Sequence, residues 1–197
     1  MSTDIDTQVA SNASRPEAPV RTESSQAVRP EITGPDTPEA PYPIFLEGAT
    51  QVGFGRGGKE LGCPTANLPE ESLASLSSVL PTGVYYGYAQ VLSKPDDESS
   101  LSTEDRAVFP MVMSLGWNPY YKNEKKSAEV HVLHEFKADF YDHHMKVAVL
   151  GYIRPELDYT TREALIEDIE TDKRVGIRSL DRPAYQELAH NPFFTLS

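Results

Sequence analysis

The chain is 197 residues long, 39% hydrophobic and 24% charged, with 18 basic against 30 acidic residues and a net charge of −12. That composition supports the core of one ordinary domain and opposes a nucleic-acid surface, which needs a concentrated positive patch. No stretch approaches the ~20 apolar residues of a membrane helix, no secretory leader is readable around Asp4 and Asp6, and the lone Cys63 excludes an internal disulfide and fits a reducing, intracellular and expectedly cytoplasmic setting.

Residues 1–41 differ from the rest. Positions 1–40 contain no Phe, Tyr, Trp or Leu, carry five prolines, and hold seven acids against three bases. Such a segment buries too little apolar surface to offset its ordering entropy, so it reads as a disordered tail, with a targeting or partner-docking segment as the alternative. The domain is expected over 42–197. Within it, residues 44–52 read as a strand, followed by a glycine-rich stretch over 53–62. Residues 70–80 predict a short helix, with Leu73, Leu76 and Leu80 at helical spacing. Strands are predicted over 82–92, 108–115, 128–136 and 145–153. Residues 93–106, rich in Ser and Asp, read as a polar hairpin insertion far from any chemistry, with docking of a partner as the alternative. After Pro155 comes one long helical pattern, capped by Thr160 or Thr161, with Leu165, Ile166 and Ile169 as its apolar stripe. Strands in succession followed by a helix predict a mainly β fold, a small antiparallel barrel with a C-terminal helix packed on it.

Two familiar patterns in the glycine-rich stretch are misleading. Gly53, Gly55 and Gly58 spell G-x-G-x-x-G, and 53–59 spell G-x-x-x-x-G-K. Both motifs need a helix starting within them, and Glu60-Leu-Gly-Cys-Pro64 cannot start one. The glycines still permit backbone amides to approach a phosphate, although a plain surface loop explains them equally well. Directly after them, Thr65 and Asn67 stand two residues apart, so an extended backbone turns both side chains to one side. They offer two neutral oxygens to a hard cation such as Mg²⁺ beside a nucleotide, yet Thr-x-Asn is also a common turn pattern. Glu129, amid Ala, Val and Leu, is either a solvated edge carboxylate or a general base.

Taken together, residues 53–67 resemble the signature of the riboflavin kinase (flavokinase) family. Four later segments fit the same family in order: 82–87 (Thr-Gly-Val-Tyr-Tyr-Gly), 114–122 (Ser-Leu-Gly-Trp-Asn-Pro-Tyr-Tyr-Lys), 129–134 (Glu-Val-His-Val-Leu-His) and 149–155 (Val-Leu-Gly-Tyr-Ile-Arg-Pro). The likeness is to the monofunctional eukaryotic form, so no second enzyme is expected ahead of the domain. It implies a six-stranded Greek-key barrel that transfers the γ-phosphate of ATP to the 5′-hydroxyl of riboflavin, giving FMN and ADP. By the same resemblance, Glu129 is the catalytic carboxylate. Thr65 and Asn67 hold the metal and phosphates, with Mg²⁺ the expected ion and Zn²⁺ a possible replacement at that site. Gly53, Lys59, Val132, His134 and Tyr141 contact the nucleotide, and Arg154 and Tyr159 lie on the flavin side. Residues 116–126 would form a second flap. The expected partners are riboflavin and ATP, with no nucleic acid and no membrane span, and the protein is expected to be a monomer. A non-catalytic flavin-binding barrel is the alternative, and it has no need of a base at Glu129.

Overall fold

The computed structural model describes residues 19–21, 29–52, 65–77, 79–94, 101–117 and 126–195. Gly53 and Lys59 lie outside the described residues, as does most of the expected flap at 116–126. The strands are β1 (Val20–Arg21), β2 (Ile44–Ala49), β3 (Gln51–Val52), β4 (Ala66–Asn67), β5 (Gly83–Leu92), β6 (Val108–Trp117), β7 (Lys126–Val132), β8 (His144–Arg154) and β9 (Asp158–Tyr159). The helices are α1 (Ala74–Ser77), α2 (Arg162–Leu180), α3 (Pro183–Gln186) and α4 (Pro192–Thr195).

Seven strands form one antiparallel sheet in the order β2-β8-β5-β6-β7-β4-β3, where six were expected. The extra strand comes from Thr50. Residues 44–52 were expected to run as one strand, but Thr50 leaves the ladder: its amide donates to the His143 carbonyl and its carbonyl accepts from the Asp142 amide, each at 2.8 Å. Its hydroxyl donates to the Phe140 carbonyl. The stretch therefore splits into β2 and β3, and the two outermost strands of the curled sheet are neighbours in the chain.

Strand alternation divides the core in two. Tyr85, Met111, Met113, Leu115, Val130 and Met145 fill the inside of the curl. Val84, Tyr86, Val112 and Leu150 point outward and pack with Val175 and Leu180 of α2. Gly87 permits the tight β5–β8 approach at a register shift: a β-carbon there would stand 1.9 Å from the Ala148 carbonyl oxygen. β7 is shorter than predicted, ending at Val132, because the Leu133 amide turns to the Pro110 carbonyl. The helix predicted over 70–80 is a 3₁₀ turn, Glu70–Leu73, running into α1, and it still buries Leu73, Leu76 and Leu80.

Thr161 caps α2 by accepting the Ala164 amide with its side chain, an arrangement worth about 1 kcal/mol. The buried face of α2 is not the predicted stripe. Ala164, Asp168, Asp172, Val175, Gly176 and Ser179 face inward, while Ile166 is exposed. Two aspartates are tolerated there because three arginines meet them. Arg154 reaches Asp172 through Nε and Nη2 at 2.8–3.1 Å, Arg29 also binds Asp172, and Arg21 sits 3.0 Å from Asp168.

Arg21 and Arg29 belong to the segment composition marks as disordered. For residues 19–21 and 29–41 that expectation does not hold. β1 pairs with β9, the Thr33 amide donates to Ser179 Oγ, and Arg182 donates to the carbonyls of Thr33, Gly34 and Pro35. Apolar burial is indeed scarce in this segment; its carbonyls and two arginines hold it instead.

Candidate active site

The pairing of β4 with β7 sets Asn67 directly opposite Glu129, and β6 sets Ser114 opposite Glu129 from the other side. Directly paired residues on one face carry β-carbons ~5 Å apart. Glu129 thus stands in a row of polar side chains across three strands, on the outer face, while Ala128 and Val130 turn into the core. Glu129 is half-buried, and Asn67 is only 3% exposed. Asn67 Oδ1 is buried with no hydrogen-bond partner among the described residues. A native carboxamide oxygen left without any partner is costly, so such atoms are normally met by water, an ion, a ligand or another part of the chain. A neutral, hard oxygen next to the Thr65 position suits a hard cation such as Mg²⁺. Among the described residues no group of three or more His, Cys, Asp or Glu could hold a metal.

A cleft of about 640 Å³ opens beside this row. Thr65, Val132, His134 and Tyr141 all line it, so four of the expected nucleotide positions converge, and α2 contributes Lys173 and Ile177 to its far wall. Neither α2 residue was expected. The His134 ring is stacked on Phe109 at 3.9 Å and 8°, and Phe136 meets it edge-on at 4.8 Å. Its Nε2 lies 2.8 Å from Oδ1 of Asp105. Asp105 belongs to the 93–106 connection, so that connection is not remote from the cleft. Its described end reaches the cleft wall, because Ser102 and Asp105 close a tight turn that points the carboxylate at His134. The Ser-x-x-Asp spacing was the available signal, since it marks a turn with reciprocal side-chain bonds. Ser102, and after it His134, hold the Asp105 carboxyl below its ordinary range.

Arg154 and Tyr159 do not line this cleft. Both sit beneath α2. Burial opposes the charge on Arg154, but the Asp172 carboxylate outweighs it and raises the guanidinium pKa. Tyr159 donates its hydroxyl to Asp168 at 2.9 Å, and burial pushes its phenol pKa up.

The family model described as riboflavin kinase, or flavokinase, matches residues 40–180. The chain belongs to the riboflavin kinase family. The riboflavin kinase of Pyricularia oryzae is 52% identical over 162 residues, which cover 80% of this chain and 81% of that protein. That of Scheffersomyces stipitis is 47% identical over 174 residues, covering 80% and 96%. The crystal structure of riboflavin kinase from Trypanosoma brucei matches with a TM-score of 0.61 at 28% identity, over 78% of this chain and 90% of that one. The resemblance carried by residues 53–67 and the four later segments is thereby borne out, as is its reading as a riboflavin kinase. No helix among the described residues is long and apolar enough to cross a membrane.

Proposed function

We propose that this chain phosphorylates riboflavin to FMN with ATP as donor, using Glu129 as the general base that accepts the ribityl 5′-hydroxyl proton. The observation that carries this reading is the direct pairing of Glu129 with Asn67, whose buried Oδ1 has no hydrogen-bond partner among the described residues. A base and a cation ligand on adjacent strands are what in-line phosphoryl transfer asks of a protein, since the reaction depends mainly on positioning and charge neutralisation. Thr65 and Asn67 would hold Mg²⁺, which when bound neutralises charge on the phosphate oxygens. The all-oxygen pair favours Mg²⁺ over Zn²⁺, which prefers nitrogen and sulfur. Val132, His134 and Tyr141 bind the nucleoside in the adjoining cleft, with Gly53 and Lys59 serving its phosphates.

On the flavin side, Arg154 and Tyr159 act through α2. They anchor Asp172 and Asp168 on its inward face. In this reading the sheet closes into the Greek-key barrel of the resemblance, with β2 and β3 as one bent strand joined at Thr50. A barrel closed this way offers no free edge, which supports a monomer. The single cysteine supports an intracellular location.

Chromatographic assay of FMN formed from riboflavin, ATP and Mg²⁺ tests the proposal. Glu129→Gln is expected to lower kcat by at least ~10²-fold with riboflavin binding retained. Turnover unaffected by the substitution would remove Glu129 as the base. Riboflavin binding without any FMN from the wild type would favour a binding module instead.

A further inference from the structure

We propose that Asp105 is a positioning residue for nucleotide recognition: its carboxylate fixes the His134 ring with Nε2–H donating to Oδ1, leaving Nδ1 to accept a hydrogen bond from an amino or hydroxyl group of the nucleoside. The proposal deepens the reading of the cleft as a nucleotide site and rests on it.

Three restraints act on the one ring. Phe109 lies parallel beneath it at 3.9 Å, Phe136 abuts it edge-on at 4.8 Å, and Asp105 Oδ1 stands 2.8 Å from Nε2. The two aromatic contacts set the ring plane, but they are indifferent to which nitrogen carries the proton. Only the carboxylate distinguishes them. An ionised carboxylate is an acceptor only, so the nitrogen facing it must be the donor, and in neutral imidazole the other nitrogen is then a lone-pair acceptor.

The carboxylate is itself immobilised. Oδ2 accepts both the amide and the hydroxyl of Ser102, at 3.1 and 2.7 Å, and the Asp105 amide returns a bond to Ser102 Oγ. Asp105 is 4% exposed, whereas the His134 side chain keeps 22% of its surface at the cleft. The layout is a buried orienting group behind a partly open ring, and a partner on one ring nitrogen is what fixes a histidine's tautomer and orientation. A ligand that offers a donor to Nδ1 is thereby preferred over one that presents only acceptors.

The test combines MgATP titration calorimetry with steady-state FMN formation. Asp105→Asn is expected to weaken MgATP binding and raise KM for ATP about tenfold, equivalent to about 1.4 kcal/mol. It should leave kcat within about twofold and KM for riboflavin unchanged. Asp105→Glu should recover part of the loss. In a His134→Phe background, Asp105→Asn should add nothing, because the ring nitrogen it serves is gone. Nitrogen-15 NMR should show the Nε2-protonated tautomer of His134 in the wild type and lose that preference in Asp105→Asn. Thermal melting checks that each variant is folded, and Ser102→Ala, which loosens the carboxylate without removing it, should show a weaker form of the same effect. If His134→Phe raises the MgATP dissociation constant while a folded Asp105→Asn does not, the proposal is overturned and the nucleotide reading stands. If His134→Phe leaves MgATP binding unchanged, the nucleotide reading of this cleft fails and the proposal fails with it. Losses that add fully in the double variant would also overturn it.

Discussion

At the scale of single residues, the role proposed for Asn67 sets function against stability. Its Oδ1 is buried without a hydrogen-bond partner among the described residues, an arrangement that costs on the order of 1–3 kcal/mol in the absence of a ligand. Asn67→Ala removes the orphaned acceptor together with the proposed cation ligand. The metal-free variant is therefore expected to melt at or above the wild-type temperature, while kcat/KM falls by ~10²-fold or more and the Mg²⁺ concentration for half activity rises. Scanning calorimetry without Mg²⁺ and a Mg²⁺ titration of activity read the two effects separately; a destabilised variant with normal Mg²⁺ dependence would make Asn67 a packing residue. The Thr65–Asn67 pair and Glu129 were legible because each lies in a short local pattern of the family signature. Their pairing was not, since strand register brings together positions 62 residues apart in sequence (129 − 67). Asp105 was harder still. Its contact with His134 spans 29 residues of sequence, and although the Ser102-x-x-Asp105 spacing marks a turn, nothing local says which ring that turn meets.

At the scale of elements, α2 is the place where hydrophobic periodicity misleads. Leu165, Ile166 and Ile169 form a credible stripe, yet the helix turns Asp168 and Asp172 inward. Periodicity ranks aspartate as outward-facing because it cannot know that Arg154 from β8 and Arg21 and Arg29 from the N-terminal segment converge there. The long strands were read more accurately: their alternation of Val, Tyr and Met is locally encoded, and their ends shifted where tertiary bonds decide, as at Val132, whereas the break at Thr50 and the two-residue β4 were not foreseen. A buried ion cluster of this kind is costly to break asymmetrically. Asp172→Ala strands the guanidinium of Arg154, a residue only 9% exposed, and is expected to destabilise the fold by ~3–5 kcal/mol. Replacing both partners, with Arg154→Met and Asp172→Leu, leaves no orphaned charge from this pair and should cost clearly less than the single change. Urea denaturation of the two singles and the double resolves this. A double variant as unstable as the sum of the singles would mean that the pair contributes little and that the shape of the site sets the cost.

At the scale of the whole molecule, the chain closes on itself twice. Thr50 joins the two outermost strands of the sheet, and the N-terminal segment lies across the α2–α3 corner. The second closure depends on few groups. Arg182 donates to three consecutive carbonyls, from Thr33 to Pro35, while its guanidinium packs 4.2 Å from the centre of the Tyr185 ring. The Tyr86 hydroxyl donates to the Thr33 carbonyl at 3.0 Å and the Tyr185 hydroxyl to the Pro35 carbonyl at 2.9 Å. Tyr86 belongs to the core between sheet and helix, so the segment is tied to the same packing that holds α2 in place. Removing residues 1–40 deletes Arg21 and Arg29 along with those carbonyls. Asp168 and Asp172 then keep Arg154 and Tyr159 as partners but lose two cations, and three buried or half-buried donors lose their acceptors. With each unmet group worth on the order of 1 kcal/mol or more, the shortened chain is expected to melt roughly 5–10 °C lower. The loss should concentrate in α2, so hydrogen exchange should accelerate across α2 and the outer face of β5 while β6 and β7 stay protected. Arg182→Ala in the full chain should reproduce part of this pattern, because it releases the same carbonyls without deleting the arginines. If the shortened chain melts like the full one with unchanged exchange in α2, the segment is an appendage, and the aspartates of α2 are held by the domain alone.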